Sequence, residues 1–486
     1  MKNIVIKIFI LIVGATVSFS CNELLEEEVP SAIGPTTFYQ SAEDIENVLN
    51  HAYRADHEQG GLMTWVQVFD EASTDIMYQY GGGLNNHIKL YLNFTWDAGH
   101  VWLNNAWQDY YESISSANVA IAQIPDVPIN EQVQNALMAE ARFIRANIYF
   151  KLYDLWGPVP IITDPETDPL NNPTRPTEEA FLSFVEEDYL ASLEHLPATR
   201  PGDEYGRVTK GGALGMLASF YLNTRQWDKA AARAKEVMDM GLYDLFEVSV
   251  RTDLFDISNE RNSEFIYVRP YTQVSGYSHN YFPRVLPPNY KLKFPPNENF
   301  GAQYTVYDDW YNTFDPADER REAIITSYVD NNDQTIALNT TPNNYRNLKI
   351  MEDPNASDRH AGNDIPKMRY ADILLIRAEA LNELEGVNQE SVDLINEVRV
   401  IAGVTPYDLI DFADKAEFRD AILDERGWEF SFENKRRSDL IRHNKFISSA
   451  QSRGVNAQSH HVRYPIPQPQ IDVNPDLKQN PGYGGE

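Results

Sequence analysis

The sequence predicts a mostly α-helical protein: tetratricopeptide-like helical hairpins form a scaffold, and long loop-rich insertions interrupt it. Three observations predict this. Apolar residues recur at three- and four-residue steps through several long windows. Segment 210–243 places Leu214, Leu217, Ala218 and Tyr221 ahead of Ala230, Ala234 and Val237, the small-and-large spacing of the tetratricopeptide hairpin of about 34 residues. The stretches between such windows are rich in Pro, Gly and Tyr and carry no helical period.

Taken in order, residues 1–20 are an address. Lys2 and Lys7 accompany an apolar run, 8–17, that is too short to span a bilayer. The run ends at Cys21, the single cysteine of the chain, which therefore has no internal disulfide partner. This pattern reads as a lipoprotein signal peptide with Cys21 as the lipid anchor, although Ser18 stands where a larger aliphatic residue is usual. An ordinary secretory signal cut nearby is the alternative. Residues 21–40 read as an extended tether and 41–486 as one body. No second stretch is apolar enough to be a membrane helix.

Within the body, Ser41 caps a helix to about residue 55. Segment 65–78 reads as a helix, followed by a flexible loop at Gly81-Gly82-Gly83-Leu84-Asn85-Asn86. Long helices follow at 101–124, closed by Pro125 and Pro128, and at 131–156, stopped by Gly157-Pro158-Val159-Pro160. Thr177 caps another to about 196. The largest insertion, about 245–365, is a Tyr- and Pro-rich segment, and loops this long in a compact protein usually carry function. Segment 367–383 has two apolar stripes, one through Tyr370, Leu374 and Ala378 and one through Ile373, Ile376 and Ala380. A surface helix needs only one such face, so this helix is wedged between neighbours, starting between Pro366 and Asp372. Segment 415–442 is a charged amphipathic helical region, and the tail from Tyr464 is extended.

The formal net charge of −31 makes double-stranded nucleic acid an improbable partner and disfavours polyanionic polysaccharides. Glu425, Glu429 and Glu433 fall at i, i+4 spacing, but the interleaved Arg426, Lys435, Arg436, Arg437 and Arg442 make an ion-pair lattice the better reading than acid–base catalysis. Neither Asp70, Glu71 and Asp75 nor Asp308 and Asp309 stand out as a glycosidase pair in a chain this acidic. The histidines, His460 and His461 included, show no metal-ligand spacing, so no metal or cofactor is expected. Asp330-Asn331-Asn332-Asp333 matches no calcium-loop template and reads as a solvated turn. What remains is aromatic. Phe, Trp and Tyr make up 12% of the chain. Sugar C–H faces stack on such rings, while carboxamides read hydroxyl groups. Trp65, Trp107, Trp156 and Trp428 are assigned to packing. The loop residues Tyr80, Asn85, Trp96, Tyr277, Tyr281 and Tyr290 are the candidate ligand contacts.

Several segments together resemble the SusD/RagB family of surface nutrient-binding lipoproteins. They are 139–146 running to Trp156-Gly157-Pro158-Val159-Pro160, then 369–380, then Glu425-Arg426 through 432–442, and the closing Tyr464-Pro465-Ile466-Pro467 with Asn480-Pro481-Gly482-Tyr483. The resemblance implies a SusD-like helical body on the outer membrane, surface-exposed and lipid-anchored. It implies capture of oligosaccharides, in some members peptides, for delivery to a TonB-dependent (SusC-like) transporter, without catalysis. A peptide- or protein-binding lipoprotein of this fold and a surface glycoside hydrolase are the competing readings.

Overall fold

The computed structural model describes residues 39–79, 81–166, 172–295, 297–301 and 303–484. The expected signal peptide, Cys21 and nearly all of the tether lie outside them, as does Tyr80.

The scaffold is helical. α1 (Ala42–Asp56) opens with a capping box between Ser41 and Asp44. α2 (Gly61–Gln67) runs directly into a π-helical turn, Val68–Ala72, and then into strand β1 (Met77–Tyr78). The single helix expected over 65–78 is therefore corrected. Tertiary partners interrupt it: Asp70 is drawn to Lys151 at 2.5 Å, and Glu71 accepts the Asn434 N–H at 2.9 Å. α3 (Asn85–Leu92) takes in the last two residues of the expected glycine-rich loop. α4 (Val101–Gln123) and α5 (Glu131–Trp156) stand as expected. Asn130 caps α5 at one end, and Gly157, at φ +76°, turns the chain out at the other. α6 (Glu178–Leu193), α7 (Lys210–Asn223), α8 (Trp227–Asp239), α9 (Tyr370–Glu385), α10 (Gln389–Ile401), α11 (Lys415–Glu429) and α12 (Arg436–Arg442) complete the scaffold.

Neighbouring helices pack as stacked hairpins. α1 lies on α4 and α5, α5 on α6, α7 on α8, and α8 on α9, which in turn meets α10 and α11. Stacking is required, because one hairpin cannot bury its own apolar faces. Every residue of α9 from Tyr370 to Asn382 is buried, which is the outcome the two stripes predict.

The insertion is closed at its base by an antiparallel ladder between β2 (Phe265–Arg269) and β8 (Ile365–Arg369). Everything between them is a graft whose two ends are tied together on the scaffold. It contains the short antiparallel pairs β4 (Ile324–Ile325) with β7 (Arg346–Asn347) and β5 (Ser327–Val329) with β6 (Thr335–Ala337). β3 (Thr305–Val306) pairs outside the graft, with β1.

Buried ion pairs lock the graft down. Arg369, at the end of β8, is 0% exposed. It binds Glu264, meets Glu429 at 2.9 Å and grips Glu433 at 2.8 Å. Arg320 reaches Glu425 at 2.7 Å and Glu429 at 2.9 Å, and Lys349 reaches Glu433 at 2.5 Å. Burial pushes the Glu429 carboxyl up, and Arg369, Arg251 and Arg320 more than reverse this, holding it well below the usual carboxylate range. The lattice expected from the sequence is therefore present, with one correction. Glu433 is not on the helix with Glu425 and Glu429, because the chain turns at Phe432 and Asn434, both at positive φ. That turn aims Glu433 back at Arg369.

Candidate functional site

The two loops singled out in the sequence converge on one face. β1 pairs with β3, Tyr307 N–H donates to Ile76 C=O at 3.1 Å, and Val306 N–H donates to Tyr345 C=O at 3.1 Å. Gly82, at φ +88°, lies against Gln303, and a Cβ there would come within 2.7 Å of Gln303 Cγ. Only glycine seats the loop this closely on the graft.

Tyrosine rings gather at the seam. Tyr78 and Tyr307 meet at 5.1 Å between centroids, and Tyr311 and Tyr345 at 4.8 Å. All four are half-buried. Arg321 lies over Tyr311 and Arg453 over Tyr307, fixing both rings from one side. Further along the graft, Tyr290 stacks on Tyr328 at 6.2 Å and 24°. The Tyr328 hydroxyl donates to Pro288 C=O at 2.8 Å, and Phe282 supports the far edge of Tyr290. The β5–β6 hairpin holds this pair in place. Asp330 accepts the N–H groups of Asn332 and Gln334, both at 2.9 Å, so the acidic run is a self-capped turn.

The expected contact residues divide. Tyr277 is 57% exposed on a tight turn, where Thr272 N–H donates to its carbonyl. Tyr290 is half-buried in the stacked pair. Asn85 begins α3, and its Oδ1 has no partner among the described residues. Trp96 and Tyr281 are corrected: both are core residues. Trp96 is 4% exposed, enclosed by Tyr91, Phe94, His461 and Tyr464, and its indole N–H donates to the Tyr483 hydroxyl at 2.8 Å. Tyr281 is 1% exposed, and its hydroxyl donates to Asn347 C=O at 3.0 Å. Neither has a ring face to offer. Tyr78, Tyr307, Tyr311, Tyr328 and Tyr345 are half-buried instead. Their spacing follows no period, and for the four in the graft its Tyr-richness was the only sequence signal.

The buried and half-buried acids among the catalytic candidates are engaged elsewhere. Asp70 is paired with Lys151, Asp75 with Arg436 at 2.8 Å, and Asp308 exchanges backbone and side-chain bonds with Asn343. Burial lifts Asp70 to about 6, against the pull of Lys151. Among the described residues no three His, Cys, Asp or Glu side chains are grouped as a metal site. A hollow of about 90 Å³ in the scaffold, lined by Glu58, Lys151, Arg269, Lys367 and Glu433, has room for a few waters and not for a sugar.

Comparison with known proteins places this architecture. A model described as the SusD family matches residues 263–483, and one described as starch-binding associating with outer membrane matches 23–222. The chain is 27% identical to SusD-like protein P25 of Formosa agariphila, covering 99% of each. It is 30% identical to the starch-binding protein SusD of Bacteroides thetaiotaomicron over 147 residues, 29% of this chain and 25% of that one. A solved laminarin-binding SusD-like protein superposes with a TM-score of 0.79 at 24% identity, over 92% of this chain and all of the other. Surface glycan-binding protein A from Bacteroides thetaiotaomicron, in complex with laminarihexaose, gives 0.76 at 20% identity, over 90% of this chain and 99% of that one. The two models match successive parts of one continuous helical scaffold and its graft, and the chain belongs to the SusD/RagB family.

Proposed function

We propose that this protein captures glycans at the outer-membrane surface and passes them, intact, to a TonB-dependent transporter. The observation that carries this reading is the row of half-buried tyrosines where the glycine-rich loop meets the graft, held rigid on an ion-paired scaffold. Rigid rings bind sugar faces at little entropic cost. Relatives named for starch, laminarin and laminarihexaose binding support the choice of ligand class. The description of the matching family model supports the outer-membrane location. In this reading residues 1–20 are removed, Cys21 carries the lipid, 21–40 is the tether and 41–486 the binding body. Tyr277, Tyr290 and Asn85 remain contacts in this proposal, joined by Tyr328 and the rings at the seam.

Each stacked ring is expected to contribute about 1–2 kcal/mol. Replacing Tyr290 and Tyr328 together by alanine is therefore expected to weaken oligosaccharide binding by a factor of ten or more, on the order of 2 kcal/mol. Calorimetry against laminari- and malto-oligosaccharides checks this. Wild-type affinity in the double variant would remove these rings from the binding face.

A further inference from the structure

We infer that the binding face carries an oxyanion site centred on Arg284, so that the captured glycan bears carboxylate or sulfate groups. The inference rests on the glycan reading above and names the class of sugar.

Arg284 sits in a single helical turn, Tyr281–Val285, half-buried beneath the glycine-rich loop. Its Nε donates to Asn280 Oδ1 at 2.9 Å, and its Nη1 donates to Gln303 Oε1. Both partners are neutral amides. Among the described residues no carboxylate pairs with it, and the charged group that bears on it is another cation, Arg359. Nη2 makes no hydrogen bond there and is not sealed from solvent. A chain with 72 acidic and 41 basic residues has carboxylates to spare, and among the graft's other inward cations Arg320 pairs with Asp318, Glu425 and Glu429, and Lys349 with Glu433. Arg284 is left with a free edge.

Its surroundings favour an anion. Arg284 and Arg359 both lie over the Phe300 ring, at 5.4 and 6.0 Å. The acid nearest Arg359 is Glu298 at 3.6 Å, an exposed pair of little strength. Gln303, which orients Arg284, is also the side chain on which Gly82 rests, so the backbone of the glycine-rich loop passes beside the guanidinium. α3 starts three residues later without a capping side chain, which adds the positive end of its dipole. A guanidinium edge matches carboxylate and sulfate oxygens in pairs. The chain's overall negative charge opposes a polyanion at long range, but beyond about 8–10 Å it is screened at physiological salt, so the local cations decide.

The test uses the full-length mature protein and three polysaccharides: neutral laminarin, a polyuronate and a sulfated galactan. The wild type is expected to bind one of the charged pair more tightly than laminarin. That affinity should fall about tenfold between low and high salt, as ionic pairing requires; which charged polymer wins separates carboxylate from sulfate. Arg284→Gln is expected to lose about tenfold in that affinity and to flatten its salt dependence, with Arg284→Lys keeping part of both. Tighter or equal binding of laminarin with no salt dependence would overturn the oxyanion site and leave glycan capture standing. Binding to none of a wider glycan panel would overturn glycan capture itself. Should Arg284→Gln fail to fold, the wild-type salt dependence and Arg359→Gln decide the matter.

Discussion

Replacing Arg369 by alanine is expected to destabilise the protein by about 3–5 kcal/mol, the cost of breaking a buried ion pair from one side. Arg369 is fully buried, between the rings of Phe255 and Phe430. It donates to Glu264, to Glu429 at 2.9 Å, to Glu433 through both Nε and Nη2 at 2.8 Å, and to the Glu429 carbonyl at 3.1 Å. Removing it leaves three carboxylates crowded in a dry site. Arg251, Arg320 and Lys349 remain, but none reaches all three acids. Because β8 carries the return strand of the graft, the loss falls on the joint between graft and scaffold. Urea unfolding followed by circular dichroism reads the effect. A loss below about 1 kcal/mol, the level of a surface pair, would mean that the lattice is not what holds the two together.

Acidification is expected to destabilise the protein as pH falls from about 4 towards 2, from a stability maximum near pH 4. The sign follows from two opposed sets of carboxylates. For Asp372, burial raises the pKa, and Lys435 with Arg426 bring it down to about 2. Glu379, Glu433 and Asp439 are likewise held low by arginines against the effect of burial, with His443 assisting at Glu379 and Lys349 at Glu433. Groups with depressed folded-state values stabilise the protein above the unfolded pKa and lose that stabilisation as pH falls through the folded one. Asp372 alone contributes on the order of 2 kcal/mol in this way. In the second set, burial raises Asp70 and Asp364 to about 6 and lifts Glu71 well above its usual range. Their contribution is present at low pH and is lost as pH rises from about 4 towards 6. The two sets cross near pH 4, the ordinary carboxylate range. Thermal melts between roughly pH 2 and 8 check the shape, and a melting temperature at pH 2 equal to that at pH 4 would contradict it.

The scaffold was legible because its signals are local. Gly157, Pro158 and Pro160 stop α5 from sequence neighbours alone, and the double stripe of α9 states its burial directly. The tetratricopeptide spacing of 210–243 resolved into α7 and α8, with Trp227 and Asp228 opening the second helix. The candidate site was less legible because ring exposure is set by distant partners. Trp96 looked like a loop residue, yet its indole partner, Tyr483, lies 387 residues away in the tail. Tyr281 is covered by Phe432 and Asn347, neither near it in sequence. In the other direction, Tyr328 gained importance only because the Asp330 turn folds β5 against Tyr290. The π-helical turn at 68–72 has the same origin, since Lys151 and Asn434 pull Asp70 and Glu71 out of a regular helix.

The most direct measurement is to titrate the purified wild-type protein with a panel of neutral and charged oligosaccharides, and then to chromatograph the sugars after prolonged incubation. The account predicts saturable binding to at least one of them and full recovery of that sugar at its original length. New reducing ends, or a chain that binds peptides and no glycan, would contradict it.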